Sequence, residues 1–117
     1  MALVAVSKNL MLDALAAVAV FVSLHTGDPS TTGANEVTGG TPAYARKAIT
    51  WNAAASGSLD SSNAPEFDVP VCTVVYVGFF SASASGTFYG SDEVTNEAFA
   101  AQGTYTLTDA DIDLNAT

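Results

Sequence analysis

From Val71 to Ser81 the chain reads VCTVVYVGFFS, an uncharged stretch made almost entirely of β-branched and aromatic residues. Alternate side chains of a strand point to opposite faces, and here both alternating sets are apolar. Such a strand can leave water only in the middle of a sheet that is covered on both sides. One segment therefore demands neighbouring strands and two covering layers, and a mainly β fold follows.

The rest of the chain supplies those neighbours. Ala19–His25 is β-branched and aromatic and is predicted as a strand. Tyr44–Trp51 is another, with Ala45, Lys47, Ile49 and Trp51 on one face and Tyr44, Arg46, Ala48 and Thr50 on the other. A small-residue loop runs to Asn63, and Pro65 and Pro70 bracket a short strand, Glu66–Val69. Ala82–Gly86 is a hairpin turn into Thr87–Gly90. Val94–Ala100 and Tyr105–Thr108 are two further strands with Gly103 between them, and Asp111–Leu114 closes the sheet. Seven or eight short strands with turns every eight to twelve residues predict a single-domain β-sandwich or jelly-roll-like fold.

One segment departs from this pattern. Leu10, Met11, Ala14, Leu15 and Val18 recur at helical spacing, and Ser7 is a suitable N-cap, so a helix is expected over residues 7–17. Its apolar residues run nearly all the way round, which predicts burial on more than one side. The Leu10–Val22 run is superficially like a signal peptide. Asp13 interrupts it, however, and it is shorter than the roughly 20 residues a bilayer span needs. It is expected to be folded structure. Residues 1–117 are thus read as one domain, with the helix at 7–17 and the sandwich at 19–114. Between Thr26 and Pro42 lies a Gly- and Thr-rich connection longer than most, of the kind that tends to be functional or mobile.

Composition narrows the function. Twelve acids stand against Lys8, Arg46 and Lys47, giving a net charge of −9. That balance opposes binding to nucleic acid or to an anionic membrane, where basic side chains supply the affinity. Only 13% of residues are charged although 49% are hydrophobic, a deficit best met by burial against partner subunits. Cys72 is the single cysteine, which excludes an intrachain disulfide and a cysteine-based zinc site; it reads as a small buried apolar residue. The glycines precede no GK[ST] sequence, so no phosphate loop and no cofactor site is predicted.

Three groups of residues could carry chemistry. His25, the only histidine, lies near Ser23 and Asp28, but Asp28 falls beyond a glycine turn and no oxyanion hole is apparent. We read His25 and Asp28 as structural, fixing the start of the long loop by hydrogen bonds. Asp109, Asp111 and Asp113 alternate and would share one face of a strand; they lack the EF-hand pattern and read as a solvated acidic face rather than a metal site. Arg46 and Lys47 are adjacent and so point to opposite sides of a strand. One of them therefore needs a carboxylate partner, Glu36 or Glu66, and Arg46 is expected to anchor the long loop or an intersubunit contact. Trp51, Tyr76, Phe80 and Tyr89 are the aromatics that could stack on a sugar, though strand aromatics are more often core. No residue is assigned as catalytic.

Five blocks in order carry a resemblance: SLHTGDPSTTGANEVTGG from Ser23, YARKAITW from Tyr44, VPVCTVVYVGFFSA from Val69, GTFYG from Gly86 and TYTLTDADIDL from Thr104. Together they resemble a family of short tailed-bacteriophage proteins known as phage tail fibre or minor tail proteins. The resemblance covers about residues 20–114 and implies a non-enzymatic structural role in the virion, with no catalytic residues to carry over. A minor tail or tail-fibre-like surface subunit is the first expectation. A capsid decoration protein that stabilises the phage head is the second, and a host-surface glycan-binding module the third. The partners implied are copies of the chain itself, with a homotrimer expected, and other virion proteins.

Overall fold

A computed structural model describes residues 2–114. In chain order it contains α1 (Ala5–Ala16), β1 (Phe21–His25), β2 (Lys47–Ala48), β3 (Ser58–Asp60), β4 (Glu66–Val69), β5 (Cys72–Phe80), β6 (Phe88–Phe99), β7 (Gly103–Thr106) and β8 (Asp111–Asp113). The fold is mainly β with one N-terminal helix, as the strand spacing predicts. All strand pairs are antiparallel. They form a four-stranded sheet in the order β2-β1-β5-β6 and two-stranded sheets β3-β8 and β4-β7.

The apolar run at Val71–Ser81 becomes β5, and it is flanked on both sides, by β1 and β6. Register explains how its two faces are covered. Val22 pairs with Phe79 and Leu24 with Val77, and these four are buried in the main core with Phe67 and Val69 of β4 and Tyr105 of β7. Cross-strand partners share a face. The opposite face therefore carries Phe21 with Phe80, Ser23 with Gly78 and His25 with Tyr76. The long loop lies over this second face near Phe80. A Cβ on Gly33, which has φ +77°, would lie 2.7 Å from the Phe80 ring, so a glycine is required there for the loop to close down. Likewise a Cβ on Gly78 would lie 2.7 Å from both Ser23 Oγ and His25 Nε2.

Several elements differ from the sequence expectation. The helix starts at Ala5 rather than Ser7; its N-cap is Val4, with no side-chain cap, and the added turn is closed by Lys8 N–H donating to Val4 O at 3.1 Å. Only Leu12 of this helix is buried, so the expected covering on several sides is absent within the chain. Tyr44–Trp51 contributes just Lys47–Ala48 to the sheet, because Tyr44 and Arg46 turn their side chains onto Glu36 and the chain pairs with β1 only briefly. The expected loop before Asn63 contains β3, held by its ladder to β8. The two strands expected at Thr87–Gly90 and Val94–Ala100 are one, β6, with register shifts opposite Val74/Tyr76 and Phe79/Phe80. β6 is an edge strand and largely exposed. Its irregular register and its acids Asp92, Glu93 and Glu97 guard an edge that would otherwise template pairing with another chain.

Candidate functional site

The long loop is held by a cluster built on Arg46. Its guanidinium grips Glu36 bidentately, Nε donating to Oε2 at 2.9 Å and an Nη to Oε1 at 3.0 Å. The other Nη donates to the carbonyls of Ala82 at 3.0 Å and Ser85 at 2.7 Å, in the β5–β6 turn. The same group lies flat over Phe80, 3.5 Å from the ring centroid, where a cation–π attraction adds to the bonds. Of the two carboxylates weighed from sequence, Glu36 is the partner, whereas Glu66 lies on β4 and bonds Thr106. One side chain thus joins the loop, the segment before β2 and the hairpin turn. Tyr44, which sequence reasoning did not single out, completes the cluster: its hydroxyl donates to Glu36 Oε2 at 2.8 Å and accepts from Leu24 N–H at 3.0 Å. Burial pushes the Glu36 carboxyl up, yet its bonds to Arg46 and Tyr44 outweigh this and hold it below the ordinary range.

His25 and Ser23 sit beneath this cluster, both fully buried. Ser23 Oγ and His25 Nε2 are 2.7 Å apart, and His25 Nδ1 lies 2.8 Å from Ala34 O. A carbonyl can only accept, so Nδ1 carries the proton and Nε2 accepts from the serine hydroxyl. The pair has the spacing of a nucleophile and its base but no solvent access. Asp28 does not complete it: its Oδ1 accepts from Ser30 N–H at 2.8 Å in a local turn, and its carbonyl takes Asn35 Nδ2 at 3.0 Å. Burial lowers the His25 pKa, against the bond to Ala34, which raises it. The histidine is thus a neutral pin between strand and loop. Trp51 is turned inward, its indole N–H donating to Ala19 O at 2.9 Å and its ring 5.6 Å from Phe79.

The acidic residues regroup. Asp60, Asp109 and Asp111 bring carboxylate oxygens within 4.8 Å of one another, whereas Asp113 lies two residues along β8, opposite Ser58. Asp60 was missed because its approach to Asp111 is a matter of cross-strand register. Shared hydrogen bonding with Asp60, then burial and the Asp109 charge, raise the Asp111 pKa to about 6. Beside this group is an open cleft of about 390 Å³ lined by Leu15, Phe79, Tyr89, Asp92, Asp111 and Asp113. Tyr89 is the exposed aromatic of the four weighed for sugar stacking.

The helix presents the other conspicuous surface. Asn9 Oδ1 accepts from Gly57 N–H at 2.9 Å and Asp13 Oδ1 from Ala54 N–H at 2.8 Å, so the side bearing Asn9, Leu12 and Asp13 is docked. On its other side Val6 and Leu10 are 70% and 67% exposed.

Comparison with known proteins adds one match. The family model described as Podophage GP4 fiber I protein gp80 matches residues 6–114. No curated protein matches the chain.

Proposed function

The chain belongs to the podophage GP4 fiber I protein gp80 family, and from that premise we propose that it is a non-enzymatic, tail-fibre-like subunit displayed on the virion surface. In this reading it assembles with copies of itself and with other virion proteins, as a homo-oligomer with a trimer expected. The observation that supports a purely structural role is how the polar groups of the long loop are used. Arg46 makes four hydrogen bonds, Glu36 accepts three, and both ring nitrogens of His25 are engaged. Among the described residues no buried side-chain polar atom lacks a partner. Arg46, Glu36 and His25 are spent on holding the loop in place, and Ser23 is fully buried.

Immunogold electron microscopy of intact phage with antibody against the recombinant chain tests this. Label confined to the fibres or tail is the expected result; even label over the head would replace the reading with capsid decoration. A second reading, glycan recognition, draws on the cleft at Tyr89, where an exposed ring lies beside carboxylates that can accept sugar hydroxyls. It predicts a glycan-array signal that Tyr89→Ala abolishes.

A further inference from the structure

We propose that the outward side of α1 is an interface with a second copy of this chain. The inference rests on the self-assembly proposed above and assigns the surface that performs it.

The helix cannot roll to hide this side. Leu12 is 1% exposed, and the side-chain oxygens of Asn9 and Asp13, one helical turn apart, each take a backbone N–H from the turn before β3. Those anchors fix which residues face out. Val6, Leu10 and Ala14 form one i, i+4 row, and Met11 stands beside it. With Leu3, Val4 and Val18 they make up most of the exposed large apolar side chains among the described residues, at 68% exposure for Val4 and 52% for Met11. Their combined open surface is roughly 600 Å², the upper limit of what a free monomer usually tolerates in one patch. Contact with neighbouring copies that covers this patch would remove roughly 600 Å² from each chain, the lower bound per partner of a specific interface.

Charge narrows the choice of occupant. The outward row carries none, so it offers no ion-pair partner to a charged surface, while the acids of β6 and β8 lie on other elements. A surface that fits is uncharged, apolar and ridged by an i, i+4 row. The row itself meets that description, and its small Ala14 lets two helix axes come within about 8–10 Å. Two copies at −9 each repel at long range, so added salt strengthens the contact by screening while leaving the apolar burial intact.

Sedimentation equilibrium of the full chain tests this, with Leu10→Asp and Val6→Glu as variants and 50 and 500 mM NaCl as conditions. Both positions are exposed, so the monomer fold survives and far-UV circular dichroism should be unchanged. The expected result is a discrete oligomer at tens of micromolar, tighter at high salt, weakened by about 100-fold or more in either variant. An oligomer that persists unchanged in both variants overturns this interface while leaving self-assembly standing. A wild-type chain that stays monomeric in both salts overturns the interface and self-assembly together; the virion location is decided independently by the immunogold result.

Discussion

Arg46 is the residue on which the loop depends most. It has a 10% exposed side chain, it supplies the positive charge opposite Glu36, which Tyr44 also bonds, and it holds two carbonyls of the hairpin turn. Breaking a largely buried ion pair by removing one partner leaves the other uncompensated. Arg46→Ala should therefore cost about 3 kcal/mol in urea unfolding. Arg46→Lys should recover little of that, because an ammonium cannot span both carboxylate oxygens and the turn carbonyls together. Gly78→Ala should cost a comparable amount, since its methyl would meet Ser23 and His25 at 2.7 Å in a fully buried site. The sequence pointed to Arg46 and Glu36 because so few cations were present to pair with many acids. It did not point to Tyr44 or Gly78, whose roles come from what the fold sets against them: Leu24 N–H in one case, the Ser23–His25 pair in the other.

At the scale of elements, legibility followed local punctuation. β4 lies at Glu66–Val69 as expected because prolines bound it, and β5 because its composition admits little else. β3 was illegible: SLD between serines and glycine has no strand propensity, and only the ladder to β8 makes it extended. β6 runs through Ser91, Asp92 and Glu93, residues poor in β propensity, because each is paired with a residue of β5. The helix was found by its spacing, but its outward side was misjudged, since periodicity cannot say whether the covering layer comes from the same chain. The β3–β8 ladder carries its own prediction. Asp60 and Asp111 are direct cross-strand partners, and two carboxylates so placed repel when both are charged. Asp111→Asn should raise the melting temperature at pH 7.5 by a few degrees at most, the groups being exposed and screened, and should have no stabilising effect at pH 4.

For the molecule as a whole, opposed titrations shape stability against pH. Burial keeps the folded-state pKa of His25 below the ordinary 6.5, so on acidification the unfolded chain takes up a proton first. Stability from this histidine is complete above about pH 6.5 and is lost as pH falls toward its folded value. Asp111 behaves the other way. Its folded pKa of about 6 exceeds the ordinary 3.8, so its contribution is complete below about pH 3.8 and is lost as pH rises through about 6. Glu36, held low by Arg46 and Tyr44, contributes above its ordinary 4.5 and fails below it. Between about pH 6.5 and 4.5 the first two effects run in opposite directions, so the wild-type profile should be shallow there and should fall more steeply once Glu36 begins to protonate. Single substitutions separate the contributions. His25→Asn retains an amide that can reach Ala34 O, costs about 2 kcal/mol for the lost serine bond, and leaves Asp111 dominant, so the variant should gain stability between pH 7 and 5. Asp111→Asn leaves the histidine dominant and should lose stability over the same interval. Urea unfolding of the three chains at half-unit steps measures both slopes, and slopes of the same sign in the two variants would contradict the assignment of either group.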